Sequence, residues 1–336
     1  MVEEAKIQVS TSPVDKITDW YLPAEDPLAG HFFPGRVRVR DHSHLYEMAK
    51  ALGERCNLKT ADGYSEFVVR EGDRSYRGHR IDTTKGAIFA LRRMPDSVPA
   101  LENLGLDKAI QELLLHKDLA RRGGLIIICG ETGQGKSTTI ASVIMERMKR
   151  LGSFCLTIED PPEMPLAGEH GGGICYQTES RIGGFADALR GAMRCYPAQG
   201  GSMLYVGETR DPETAAEVVR AAVNGHLVLT TLHANDVNTC VQRFTTMAKA
   251  VLGSDEEVKN VTAAALRLAM HQELEFIAGT HGRPATRRLK VSFAFSPDQS
   301  SPMAQAIRSS GSLQDIVDMQ RAQLKNGGVE RLLGKN

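Results

Sequence analysis

The residues Gly130-Glu131-Thr132-Gly133-Gln134-Gly135-Lys136-Ser137 constrain this chain more than any others. They fit the pattern GxxxxGK[ST] without a mismatch, and they lie between the apolar run Leu125 to Cys129 and an amphipathic stretch from Lys136 to Leu151. Glycines at these positions let successive backbone N–H groups turn inward without Cβ clashes. A following helix aims its partly positive end at an anion. Lys136 then adds a full charge, and the Ser137 hydroxyl is suited to Mg²⁺. The predicted binding set is Gly130, Glu131, Thr132, Gly133, Gln134, Gly135, Lys136, Ser137 and the next residue, Thr138. ATP and Mg²⁺ are the expected ligands.

The rhythm around this loop predicts an α/β fold. Short apolar strands are expected at Phe154 to Ile158, Met203 to Val206 and Leu227 to Thr230, with helices at Phe185 to Arg194 and Pro212 to Val223. Such alternation implies a mainly parallel sheet covered by helices on both faces. Leu101 to Leu119 reads as a helix by period. After Asn235 the pattern is largely helical to Met270, followed by a strand near Leu289 to Phe295 and helices to the end. Upstream, residues 1–35 read as an irregular arm. Residues 36–94 read as a small sheet domain with a helix at His44 to Leu52. Residues 95–100, with Pro95 and Pro99, read as a linker, and 101–336 as the nucleotide-binding domain with a helical C-terminal part.

Composition narrows the function classes. Lys+Arg and Asp+Glu each number 41, so a chain-wide basic surface is not expected, and neither is direct nucleic-acid binding. The six cysteines form no CxxC pair, which argues against zinc and for a reduced, cytosolic chain. No apolar run is long enough to span a bilayer.

Three later segments carry candidate chemistry. Thr157-Ile158-Glu159-Asp160-Pro161-Pro162-Glu163 is an acidic cluster at a strand end, where Glu159 could order Mg²⁺ or water and Glu163 adds a second carboxylate. Met203 to Asp211 brings Glu208 to a strand end as a candidate for orienting the attacking water, with no Walker B Asp present. Gly225 to Asp236 is a strand with His226 and His233 at its two ends. One or both histidines are candidates for sensing the γ-phosphate. These residues leave a passive nucleotide-dependent module and a small-molecule kinase as other readings. The carboxylates and histidines favour hydrolysis.

Taken in order, the four segments resemble the type II/type IV secretion ATPase superfamily: its Walker A, its Asp box (TIEDPPE), its Walker B (LYVGETRDPETA) and its His box (GHLVLTTLHANDV). Within it the chain is most similar to pilus-retraction ATPases and to Dot/Icm-like, IncI conjugation-type secretion ATPases. The resemblance implies a RecA-like motor domain, a smaller PAS-like α+β domain before it, and a homohexameric ring. ATP hydrolysis would power a secretion, conjugation or pilus machine. Such a ring would be cytoplasmic, peripherally attached to the inner membrane through platform proteins. The junction GHRIDTTKGAIFALRRMPDSVPALENLGL resembles the family's domain junction. By that match Arg80 and Arg92 or Arg93 are the arginines expected to reach ATP. Two departures stand out. Ala198 to Ser202 forms a small insertion after Pro197, and Gln272-Glu273-Leu274 replaces the family's Gln-Arg-Leu.

Overall fold

The computed structural model describes residues 13–120, 123–180, 184–197, 202–277 and 286–333. Two compact units meet in the sequence after Asp96.

The first unit is an antiparallel sheet carrying one long helix. Its elements are β1 (Asp19–Pro23), β2 (His31–Phe33), β3 (Val37–Arg38), α1 (Tyr46–Lys59), β4 (Glu66–Glu71), β5 (Arg74–Thr83) and β6 (Gly86–Arg93). The strand order is β3-β2-β1-β6-β5-β4. The helix lays Ala49, Leu52 and Cys56 on a face formed by Trp20, Leu22, Phe67, Tyr76, Phe89 and Leu91, all buried. The arm expected at 1–35 is therefore corrected for its second half. β1 lies at the centre of the sheet, and Trp20 and Leu22 are completely buried. DWYLP is short and flanked by Pro, Asp and Gly, which hides its period-two alternation. Residues 1–12 of that arm lie outside the described residues. The helix expected at His44 to Leu52 begins two residues later and continues to Lys59, where the Thr60 amide and hydroxyl bond back to Cys56 O.

β6 is an interior strand, and its pleat separates neighbouring side chains. Residues directly opposite in antiparallel pairs share a face. Arg80 lies opposite Phe89, on the apolar face with Leu91 and Arg93, whereas Arg92 lies opposite Asp19 and Arg77 on the other face.

The second unit contains α2 (Lys108–Leu115), β7 (Gly124–Cys129), α3 (Lys136–Leu151), β8 (Phe154–Glu159), β9 (Gly168–His170), β10 (Gly173–Glu179), α4 (Gly184–Ala192), β11 (Ser202–Val206), α5 (Pro212–Val223), β12 (Leu227–Leu232), α6 (Val237–Leu252), α7 (Asp255–Ala265), β13 (Leu266–Ile277), β14 (Thr286–Phe295), α8 (Pro302–Ser309) and α9 (Gln314–Leu332). The sheet order is β14-β13-β7-β12-β11-β8-β10-β9. The six inner strands are parallel, and β14 and β9 pair antiparallel at the edges. β7 is buried along its whole length. Leu125, Ile127 and Cys129 join one core with α4 to α8, while Ile126 and Ile128 join another with α2, α3 and α9. A fully apolar central strand is what two covered faces require.

Two sequence expectations are revised here. The helix expected at Leu101 to Leu119 is broken. A 3-10 turn ends at Gly105, whose φ of 74° is left-handed, and α2 starts afresh with Asp107 as its cap. The helix expected to reach Met270 stops at Ala265, because Leu266 to His271 pair with β7 instead. A short apolar run does not by itself distinguish a buried strand from a buried helix. Residues 198–201 of the insertion lie outside the described residues.

Candidate functional site

Parallel pairing brings the four motifs to one edge. Leu232 pairs with Cys129, Val206 with Thr230 and with Ile158, so β7, β8, β11 and β12 all end there. Ligands of open α/β sheets sit at this carboxyl edge. The phosphate-binding loop leaves β7, and Gly135 caps α3 with φ 77°. Gly130 has φ 152°, and a Cβ there would sit 2.5 Å from Gln272 O, so only glycine fits. Lys136 is buried and donates to Gly130 O at 2.8 Å and Glu131 O at 2.7 Å. Burial lowers its pKa, and Glu208, Cys129 and Glu163 act in the opposite sense. Glu208 and Glu163 are the carboxylates whose charge acts on this ammonium. An open cleft of about 510 Å³ is lined by Gly130, Glu131 and Thr132 on one side and by His233, Asn235 and Arg243 on the other.

Glu208 follows β11, and its Oε1 lies 3.2 Å from His233 Nε2; both side chains are about one third exposed, at 33% and 38%. The backbone around Glu208 is held on both sides. The Gly207 amide donates to Ile158 O at 2.9 Å, and Gly207 O accepts from Thr231 Oγ1 at 2.6 Å. The Thr209 amide donates to Thr231 O at 2.9 Å, and the Thr209 and Thr230 hydroxyls meet at 2.9 Å. Glu159 is buried, and its Oε1 accepts from Gln177 Nε2 at 2.8 Å. Burial raises its pKa against the bonds from Gln177 and Thr157. Asp160 pairs with Arg210 at 3.0 Å, linking the acidic cluster to the segment after Glu208. Tyr205 is buried, and burial followed by the charges of Glu159 and Glu163 pushes its ionisation up.

The two histidines separate. His226 precedes β12 at the opposite edge of the sheet, where its Nδ1 lies 2.8 Å from Ser202 Oγ and its ring packs on Tyr196 at 4.5 Å. Burial lowers its pKa. The sensing role considered for His226 is therefore corrected within this chain: β12 lies between it and the phosphate-binding loop, and the structure gives it a structural partner. Arg80, Arg92 and Arg93 belong to the first unit, where they pair with Asp82, Asp19 and Asp96.

Sequence reasoning missed Tyr205, Gln177, Arg210, Arg243, Thr209, Thr230 and Thr231. The threonines read as ordinary strand formers, because β-branched residues favour strands whatever their hydroxyls do. Tyr205 carried a signal, since a tyrosine in a fully buried strand needs a partner for its hydroxyl.

A glycine-rich loop joining a central parallel strand to a helix, with carboxylates delivered by neighbouring strand ends, defines a P-loop NTPase core. A family profile described as type II/IV secretion system protein matches residues 57–293, and the chain belongs to that family of ATPases. It is 32% identical over 280 residues to the type IV pilus retraction ATPase PilT of Pseudomonas aeruginosa, covering 76% of this chain and 74% of the relative. A crystal structure of the pilus retraction motor PilT with bound ADP superposes with a TM-score of 0.69 at 28% identity, covering 95% of this chain and 89% of that one. The Legionella pneumophila ATPase DotB shares the fold, with a TM-score of 0.65 at 22% identity and 94% and 85% coverage. The α/β architecture expected from the sequence, a parallel-sheet core preceded by a smaller α+β unit, is that of PilT. No helix among the described residues is long and apolar enough to cross a membrane.

Proposed function

We propose that the chain binds ATP with Mg²⁺ at the Gly130–Ser137 loop and hydrolyses it as one subunit of a homohexameric ring. The ring powers a type IV secretion, conjugation or pilus machine from the cytoplasmic face of the inner membrane, through platform proteins. The observation that carries this reading is Glu208. Its carboxylate stands at the nucleotide edge, acts by its charge on Lys136 and rests 3.2 Å from His233, an arrangement suited to orienting and polarising a water molecule. A passive binder has no use for such a pair.

The residues present fit Mg²⁺. No group of three or more ligating side chains suited to a metal occurs among the described residues. Mg²⁺ in phosphate sites relies on one or two protein oxygens, the nucleotide and water. Ser137 would supply a hydroxyl, and Glu159, at the end of β8, a carboxylate. The bound ion would neutralise developing charge on the phosphates. Arg80, Arg93 or Arg92 would supply positive charge from the first unit. Pilus retraction is the finer reading, supported by the likeness to PilT across most of both chains.

Replacing Glu208 by Gln tests the reading. It keeps the shape and removes the base, so kcat should fall by about 10²–10⁴ while ATP still binds. Undiminished turnover in this variant would overturn the proposal.

A further inference from the structure

Gln272 is a residue of β13 that the sequence motifs assign no role, yet three groups at this point of the strand press on the phosphate-binding loop. Its carbonyl oxygen lies 2.5 Å from where a Cβ on Gly130 would be, its Nε2 donates to Gln134 O at 2.5 Å, and two residues on, the Leu274 amide donates to Gln134 Oε1 at 2.6 Å. Gln272 is fully buried, and its Oε1 has no hydrogen-bond partner. The amide orientation follows from chemistry: Gln134 O only accepts, so the NH₂ must face it.

A buried, unserved amide oxygen is unfavourable, and an apolar side chain of similar size would avoid it. What the glutamine supplies in return is direction. In a planar trans peptide the C=O and the N–H point to opposite sides. Gln134 O and the Gly135 N–H belong to one peptide group. Drawing Gln134 O toward β13 turns the Gly135 N–H the other way, into the cradle at the start of α3 where a phosphate is received.

We infer that Gln272 is a positioning residue for phosphate binding: it sets the Gln134–Gly135 peptide so that the Gly135 N–H faces the nucleotide's phosphates. The inference rests on the ATP-binding reading above and adds a residue outside the loop to it. It also gives a role to the first residue of Gln272-Glu273-Leu274, the segment where the chain departs from the family's Gln-Arg-Leu.

The test is Gln272→Leu in the full chain, with equilibrium binding of ATP, ADP and adenosine and thermal melting without nucleotide. A purely structural glutamine predicts a lower melting temperature and equal effects on all three ligands. A positioning glutamine predicts an unchanged or higher melting temperature. ATP and ADP then bind about tenfold more weakly, the scale of one hydrogen bond, while adenosine, which has no phosphate, is unaffected. Gln272→Glu adds a pH readout: its ionised carboxylate repels Gln134 O and weakens ADP further, and protonation restores a donor and recovers binding. Should Gln272→Leu not fold, Gln272→Met carries the same prediction. Wild-type affinity for ADP in a folded Gln272→Leu or Gln272→Met refutes the inference and leaves the ATP-binding reading standing. A wild-type protein that binds no ADP sinks both.

Discussion

Thr231→Val removes one hydroxyl from the nucleotide edge and leaves the shape of the side chain almost untouched. Thr231 is 4% exposed, and its Oγ1 donates to Gly207 O at 2.6 Å. The substitution deletes that bond and leaves the half-buried Gly207 carbonyl without this donor, at a cost of about 1–2 kcal/mol. For a domain of 150–250 residues each kcal/mol lowers Tm by about 2–4 °C, so a cost of about 2 kcal/mol corresponds to about 4–8 °C. The functional effect follows from what the bond holds. Glu208 lies between Gly207 and Thr209, whose amide also bonds to Thr231. A loosened Gly207 lets the carboxylate drift from its place beside His233, and a displacement near 1 Å in a catalytic group costs about a hundredfold in rate. Calorimetric melting and steady-state ATP turnover should show a modest drop in Tm, a tenfold to hundredfold drop in kcat (about one to two decades below the wild type) and an unchanged KM. A melting shift of the stated size with kcat within about twofold of wild type would refute the reasoning. The threonines would then hold strand ends together without aiming Glu208.

The remaining predictions concern charge. Burial holds the Glu159 carboxyl above its ordinary 4.5, so the folded chain keeps that proton longer than the unfolded one, and this contribution to stability declines as pH rises above 4.5. Glu159→Gln should flatten that part of the stability profile in urea titrations; an unchanged slope would count against it. Asp236 caps α6 through the Thr239 amide and hydroxyl, both at 2.7 Å. Burial alone would raise its pKa, but these bonds outweigh it and hold it below its ordinary 3.8, so its stabilisation is present above 3.8 and lost on further acidification. Asp236→Ala should cost about 1 kcal/mol at pH 7, with the gap to wild type closing below pH 3.8; a gap that persists there would show that charge is not its source.

The parts of the site that one strand end delivers were legible in the sequence. Gly130 to Ser137, Glu208 and His233 each follow a buried apolar run directly, so a strand prediction also predicts the edge they occupy. His226 misled because a motif is linear while β12 is not a point. Its residues 227–232 are fully buried, and the strand carries the two histidines to opposite edges of the sheet. Gln177, Gln272 and the threonines were illegible for a different reason. Each acts across strands that are distant in sequence, Gln272 reaching Gln134 across 138 positions, and no local pattern encodes that register. β1 was lost because a five-residue strand between turn-forming residues has too little periodicity to stand out.

The pleat of β6 parts two arginines that the sequence places side by side. Arg92 and Arg93 are adjacent in sequence yet emerge from opposite faces of a strand flanked by β1 and β5. Arg93 and Arg80 share one surface of the sheet, opposite Tyr76 and Phe89, while Arg92 emerges from the other.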